Sequence, residues 1–129
     1  MATLFTRIIK GEIPSQKILE DDRFLAFLDI RPIAPGHTLV VPKVEVDELF
    51  DVDPDILAGA LPFAQKVARA IKHAVPCKRV GVMVAGLEIP HAHIHLIPMQ
   101  HEGDLSFSRA RPAGPEELAA VADAIRSRL

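Results

Sequence analysis

Three histidines alternate with small or apolar residues over His91-Ala92-His93-Ile94-His95, and Leu96 and Ile97 follow directly. A β-strand places residues i, i+2 and i+4 on one face and the intervening ones on the other. Residues 91–98 are therefore expected to form a strand. Ala92, Ile94 and Leu96 turn into a core, and a comb of three imidazoles faces solvent or a ligand. Imidazole changes charge near neutral pH and serves as nucleophile, acid, base or metal ligand. A strand with this face is built around chemistry.

The rest of the chain supplies partners for that strand. Residues 16–20 and 23–29 read as two strands, and Asp21-Asp22 between them is turn chemistry, so a hairpin is expected. Residues 31–36 hold two prolines and a glycine and form a loop, and residues 37–42 form a third strand. Residues 79–84 are a fourth strand, which makes 91–98 the fifth. Leu4, Ile8 and Ile9 indicate a short helix that ends at Gly11. Asp53-Pro54 is a helix start, with Asp as N-cap and Pro at the first helical position. Apolar residues at three- and four-residue spacings carry that helix through about Lys72, with a kink expected at Pro62. A last helix spans 115–129, with Leu118, Val121 and Ile125 on its apolar face. Strands and helices in this order predict an α+β fold: an antiparallel five-stranded sheet with a long helix and a C-terminal helix.

At 129 residues the chain suits one domain, read here as 1–129, and 49% apolar residues suffice for a core. A net charge of −2 gives no electrostatic footprint for nucleic acid. Cys77 is the single cysteine, which fits a reducing compartment. Residues 1–7 lack the apolar run of a signal peptide, and no stretch approaches the ~20 apolar residues of a membrane helix. These features predict a cytoplasmic protein with no membrane partner.

Three readings suit the comb. A polar strand face without chemistry is the plainest. A metal site is the second. Alternating strand positions stand ~7 Å apart, and the outer pair ~13 Å apart, whereas zinc–nitrogen bonds are about 2.0–2.1 Å. Three alternating histidines do not converge on one ion, so a metal would need a ligand from elsewhere. Phosphate chemistry is the third. A central imidazole attacks phosphorus while its neighbours bind the phosphate oxygens. Gly86 lies just upstream, where a glycine lets backbone N–H groups approach an anion.

The run His91, His93, His95, Leu96, Ile97 resembles the signature of the histidine triad (HIT) superfamily. Lys10-Gly11-Glu12-Ile13-Pro14, Phe24-Leu25-Ala26-Phe27-Leu28-Asp29-Ile30 and Ala34-Pro35-Gly36-His37-Thr38-Leu39-Val40-Val41-Pro42-Lys43 look like its nucleoside phosphoramidase-like branch. The likeness covers residues 3–99. It implies a HIT-like fold whose sheets join across a homodimer, and a purine nucleotide substrate cleaved at the α-phosphorus.

The resemblance also implies roles. His93 matches the nucleophile that forms a nucleotidyl-histidine intermediate. His95 and His37 match histidines that contact the phosphate and support the site. His91 matches the residue whose carbonyl orients the nucleophile. Asp29 matches the carboxylate that takes the ribose hydroxyls. Ile18, Phe27 and Ile30 match the apolar wall around base and sugar, and Gly86 and Glu88 lie on the phosphate and leaving-group side. No cofactor and no metal are implied, because Thr3 and Thr6 stand where many relatives carry a zinc-binding cysteine pair. Leu87 and Glu88 depart from the common pattern, which leaves the leaving group open. The expected activity is hydrolysis of a nucleoside 5'-phosphoramidate or a similar AMP or GMP conjugate. A dinucleoside polyphosphate hydrolase, a nucleotidyl transferase and a non-catalytic nucleotide-binding module are the alternatives. The dimer is expected to use a sheet edge and small residues of the long helix, Ala58, Gly59, Ala60, Ala64 and Ala68.

Overall fold

The computed structural model describes residues 2–129; Met1, first of the stretch read for a signal peptide, lies outside them. The expected hairpin forms from β1 (Lys17–Glu20) and β2 (Phe24–Leu28). Its turn is closed by Asp21, whose Oδ1 accepts the backbone N–H of Arg23 and of Phe24, each at 2.8 Å. β3 (Thr38–Pro42) pairs with β2, and β5 (Ile94–Met99) pairs with β3 on one side and with β4 (Arg79–Met83) on the other. All pairings are antiparallel, and the five-stranded order is β1-β2-β3-β5-β4. This is the predicted α+β architecture.

Both faces of the sheet are covered. On one, Phe24, Ala26, Leu28, Val40, Ile94 and Leu96 pack against α3 (Ala60–Ala74) and α4 (Pro115–Arg126), through Phe63, Val67, Ile71 and Ile125 among others. On the other, Leu25, Phe27, Leu39 and Val41 lie under Phe5 and Ile8 of α1 (Leu4–Ile9). Two covered faces explain why β2, β3 and β5 are buried at every position. Among the described residues, no helix is long and apolar enough to cross a membrane.

Two expectations need correction. The long helix is not continuous. Asp53 caps α2 (Pro54–Leu57), the chain breaks at Ala58-Gly59, and α3 restarts at Ala60. Pro62 has no N–H to give to the carbonyl four residues back, and its ring would collide with it. The break falls at that point, and Pro62 ends up in the first turn of α3, where backbone N–H groups have no helical partner anyway.

The strand carrying the histidines is also shorter than expected. β5 begins at Ile94, so His91 and His93 precede it. The N–H of His91 donates to Ile89 O at 2.8 Å and that of Ala92 to Val46 O at 2.7 Å. Nor does the comb face open solvent: His91, His93 and His95 are 0%, 7% and 5% exposed. The face they share is covered by Phe5 of α1, edge-on to His91 and His93, and by Phe107 of the segment after β5, edge-on to His95. Alternation showed which residues share a face and not what covers it.

Candidate active site

Four buried histidines meet beneath α1. His95 sits in the middle of the sheet, opposite Leu39 on β3 and Met83 on β4. His37 stands just before β3, placed by Gly36, whose φ of +96° suits only glycine comfortably. His91 and His93 enter from the loop between β4 and β5. Their rings make a continuous row with aromatic neighbours: His93 lies 4.9 Å from His95 and 5.0 Å from Phe5, and His95 lies 5.1 Å from His37 and 5.0 Å from Phe107 (ring centroids).

Every tautomer in this row follows from a backbone group whose polarity is not in doubt. The N–H of Ile33 donates to His37 Nδ1 at 3.0 Å, so the proton of neutral His37 is on Nε2. That Nε2–H donates to His95 Nδ1 at 2.9 Å, so the proton of His95 is on its own Nε2. His93 Nδ1–H donates to the carbonyl of His91 at 2.7 Å, which leaves His93 Nε2 with a free lone pair. His91 Nε2–H donates to the carbonyl of Pro42 at 2.8 Å, and its Nδ1 accepts from the hydroxyl of Thr3 at 2.8 Å. The site thus offers one nucleophilic nitrogen, on His93, and one N–H donor, on His95.

Electrostatics hold that pattern. Burial, then the neighbouring His37 and His93, pushes the pKa of His95 down to about 3. Burial lowers that of His37 against the opposing charge of Asp29, and burial lowers that of His91. These three imidazoles are neutral at pH 7, as the hydrogen-bond pattern requires.

The other expected site residues are distributed unevenly. Asp29 is brought to the row: its Oδ2 lies 3.7 Å from His37 Nε2, and its Oδ1 accepts the N–H of Arg31 at 2.9 Å. Phe27 shares the histidine face and contacts Phe5 edge-on at 5.6 Å. Ile30 follows Asp29 and is 68% exposed at the rim. Gly86 has φ +78° with open space where a Cβ would stand, and Leu87 and Glu88 are exposed on the same loop. Ile18 is not at the site. It packs in the helix-side core with Ala26 and Leu28, on the face opposite Phe27.

Phe5 and Ile8 take the place expected of Ile18. They belong to the same buried cluster as Phe27. Their three-residue spacing on a short helix was legible, but nothing local said that this helix would lie over the histidines. Phe107 was also missed, since its segment carries no motif.

Asp29, His37 and His95 offer one ligand atom each within 4.8 Å of one another, a grouping that the spacing of the comb does not reveal. The His37–His95 hydrogen bond already occupies two of those atoms, and a cation would have to displace its proton. Thr3, Thr6, Glu45 and His91 form a second polar group. Its two neutral hydroxyls are poor zinc ligands beside thiolate or imidazole, so the donor set does not fit structural zinc.

The HIT domain pattern matches residues 10–102. The chain is 40% identical over 102 residues to adenosine 5'-monophosphoramidase HNT1 of Saccharomyces cerevisiae, covering 78% of this chain and 65% of that protein. It is 33% identical to adenosine 5'-monophosphoramidase hnt1 of Schizosaccharomyces pombe, covering 100% of this chain and 99% of that one. Its structure is similar to a Hit-like protein from Bartonella henselae, with TM-score 0.87 and 35% identity over 98% of this chain and 96% of that one. An antiparallel sheet carrying a buried histidine row is the class of site, and the chain belongs to the HIT domain family.

Proposed function

We propose that this protein is a nucleotide hydrolase that cleaves AMP or GMP conjugates, nucleoside 5'-phosphoramidates first among them, at the α-phosphorus. The observation that carries the reading is the 2.7 Å bond from His93 Nδ1–H to the His91 carbonyl, which aims a free Nε2 lone pair away from the backbone. Family membership and two relatives named adenosine 5'-monophosphoramidases support it.

In this mechanism His93 Nε2 attacks phosphorus in line with the leaving group. The P–Nε2 bond forms, the bond to the leaving amine breaks, and the amine takes up a proton from solvent. His95 Nε2–H and backbone N–H groups near Gly86 stabilise charge on the phosphoryl oxygens, and the His91 carbonyl stabilises the charged imidazole of the intermediate. Water then displaces His93 and releases the nucleoside monophosphate. Asp29 receives the ribose hydroxyls, Phe27, Phe5 and Ile8 line the base side, and Glu88 lies toward the leaving group. No metal or cofactor takes part. The test is incubation with adenosine 5'-phosphoramidate, quenched in alkali, where a phosphorus–histidine bond survives. A nucleotidyl adduct on His93 and release of AMP are expected. AMP binding without turnover or adduct would overturn the enzymatic reading in favour of a binding module. Faster turnover of diadenosine polyphosphates would change the leaving group.

The same reading includes a homodimer in a cytoplasmic setting. β4 is an edge strand with Val82 exposed on it and Val84 exposed just after it, and a groove of about 420 Å³ beside it is lined by Leu61, Pro62, Ala64, Ala68 and Val82. Ala60, expected at that contact, is buried in the protein's own core instead, whereas Ala64, also buried, lines the groove.

A further inference from the structure

Two threonines and a glutamate outside the histidine row form a hydrogen-bonded chain that ends on it. The N–H of Thr3 donates to Glu45 Oε1 at 2.8 Å, and the Thr6 hydroxyl donates to the same oxygen at 2.6 Å. The N–H of Thr6 donates to Thr3 Oγ1 at 3.1 Å. His91 Nδ1 is an acceptor, because Nε2 carries the proton given to Pro42 O, and with the Thr6 proton held by a carboxylate the Thr3 hydroxyl is the donor left to it, at 2.8 Å. The Thr6 hydroxyl stands 3.4 Å from the same nitrogen and 3.2 Å from Thr3 Oγ1, so another proton arrangement is within reach whenever Glu45 is absent.

We propose that Glu45 is a positioning residue: acting through Thr6 and Thr3, it locks the ring of His91 and so holds the carbonyl that orients His93. His91 is gripped at both ring nitrogens, by Thr3 and by the Pro42 carbonyl, while its own carbonyl receives His93 Nδ1–H. A ring held at both nitrogens anchors the Cα from which that carbonyl projects and so limits its displacement. The same carboxylate oxygen pins the start of α1, and α1 places Phe5 edge-on against both rings, 5.8 Å from His91 and 5.0 Å from His93. Glu45 is solvent-exposed and touches neither nucleophile nor phosphate side. Its carboxyl is held below the usual carboxylate range by the N–H of Thr3 and then the hydroxyl of Thr6, which keeps it an acceptor. Partners of this kind, one step removed from a reacting group, typically change activity by about 10- to 100-fold.

The inference rests on His93 being the nucleophile, and its experiment separates the two. The full-length protein is assayed on adenosine 5'-phosphoramidate as wild type, Glu45→Ala, Glu45→Gln, Thr3→Val and the Glu45→Ala/Thr3→Val double variant. In parallel, NMR of the free protein reads the exchange of the His93 Nδ1–H, held by the His91 carbonyl, with no substrate present. Glu45→Ala and Thr3→Val are each expected to lower kcat by about 10-fold with little change in KM. The double variant should be no worse than the poorer single, since both cut one chain. Glu45→Gln keeps an oxygen for both donors and should recover most of the activity. The His93 Nδ1–H should exchange slowly in wild type and Glu45→Gln and faster in Glu45→Ala, while His91 keeps its proton on Nε2 against the Pro42 carbonyl in all of them. Losses that multiply, a defect confined to KM, or an unchanged exchange rate of the His93 Nδ1–H in Glu45→Ala would overturn the proposal. A wild type that turns over no phosphoramidate would sink the functional reading, while the NMR comparison still decides the role of Glu45.

Discussion

The Nδ1 of His93 lies 2.7 Å from the carbonyl oxygen of His91, two residues back along the same chain. A carbonyl cannot donate, so the bond fixes the proton on Nδ1 and frees Nε2. It exists because His91 and His93 precede β5. In a regular strand, neighbouring carbonyls point sideways to the adjacent strands. The departure from regular pairing at His91 and His93 is thus tied to the orientation of the nucleophile.

His93→Ala should abolish turnover of adenosine 5'-phosphoramidate, by ~10³-fold or more, and leave AMP binding within a few-fold of wild type. Calorimetric titration with AMP beside a steady-state assay checks both. Turnover within tenfold of wild type would remove His93 from the covalent role.

The histidines should make the fold acid-sensitive. Folded-state pKa values of His95, His37 and His91 all lie below their ordinary values. As pH falls below ~6.5 the unfolded chain takes up protons that the folded one refuses, so stability drops. For His95 the decline continues toward pH 3, with a slope of about 1.4 kcal/mol per pH unit while only the unfolded form is protonated. Thermal melts between pH 6.5 and 5 isolate the effect, because Glu20, Glu45 and Asp104, also lowered, respond mainly at more acid pH. His95→Gln should flatten the dependence in that window; an equal slope in wild type and variant would contradict it.

Much of this was legible in the sequence because its signals are local. Asp21 at the hairpin, Asp53-Pro54 at the start of α2 and the alternation Ile94-His95-Leu96 each act over a few residues, and the structure has them where expected. The misses depend on distant chain. Ile18 has the same composition signal whichever face it takes, and its packing beneath α3 and α4 shows which. Phe5, Ile8 and Phe107 reach the site only because α1 and the segment after β5 fold over the sheet. The tautomers depend on backbone groups of Ile33 and Pro42, which no side-chain motif records.

Gly36→Ala should destabilise the protein and misplace His37. A Cβ there would stand 3.0 Å from Val75 Cγ2 and 3.2 Å from Pro98 Cγ, at a φ of +96°. Left-handed backbone alone costs an alanine about 1–2 kcal/mol, and crowding adds to it. A loss of about 2 kcal/mol or more in urea unfolding is expected, whereas Gly86→Ala, with open space around it, should cost only the backbone strain. Equal losses for the two would show that packing around Gly36 is slack.

Val82→Lys should yield a monomer. Val82 is 53% exposed on the edge strand β4 and lines the groove beside α3, and a lysine on an edge discourages strand pairing. Light scattering at micromolar concentration should give twice the 14.1 kDa chain mass for wild type and the chain mass for the variant. A monomeric wild type would refute the dimer.

Asp29→Asn should strip the protein of its preference for ribose. Asp29 Oδ1 already holds the N–H of Arg31, a turn role that an asparagine carbonyl can keep. The other oxygen, 3.7 Å from His37 Nε2, is the one left for a substrate. As a carboxylate it only accepts, which suits two ribose hydroxyl donors, and a hydrogen bond to a charged group is worth about 1.5–3 kcal/mol. The amide keeps the size and the turn but presents N–H where an acceptor is needed. Binding of AMP should weaken at least ~10-fold, and binding of 2′,3′-dideoxy-AMP much less. Because the turn survives the exchange, a fall in melting temperature is not expected to accompany the loss. If both nucleotides weaken alike, or neither does, Asp29 is a turn residue alone and the sugar is recognised elsewhere.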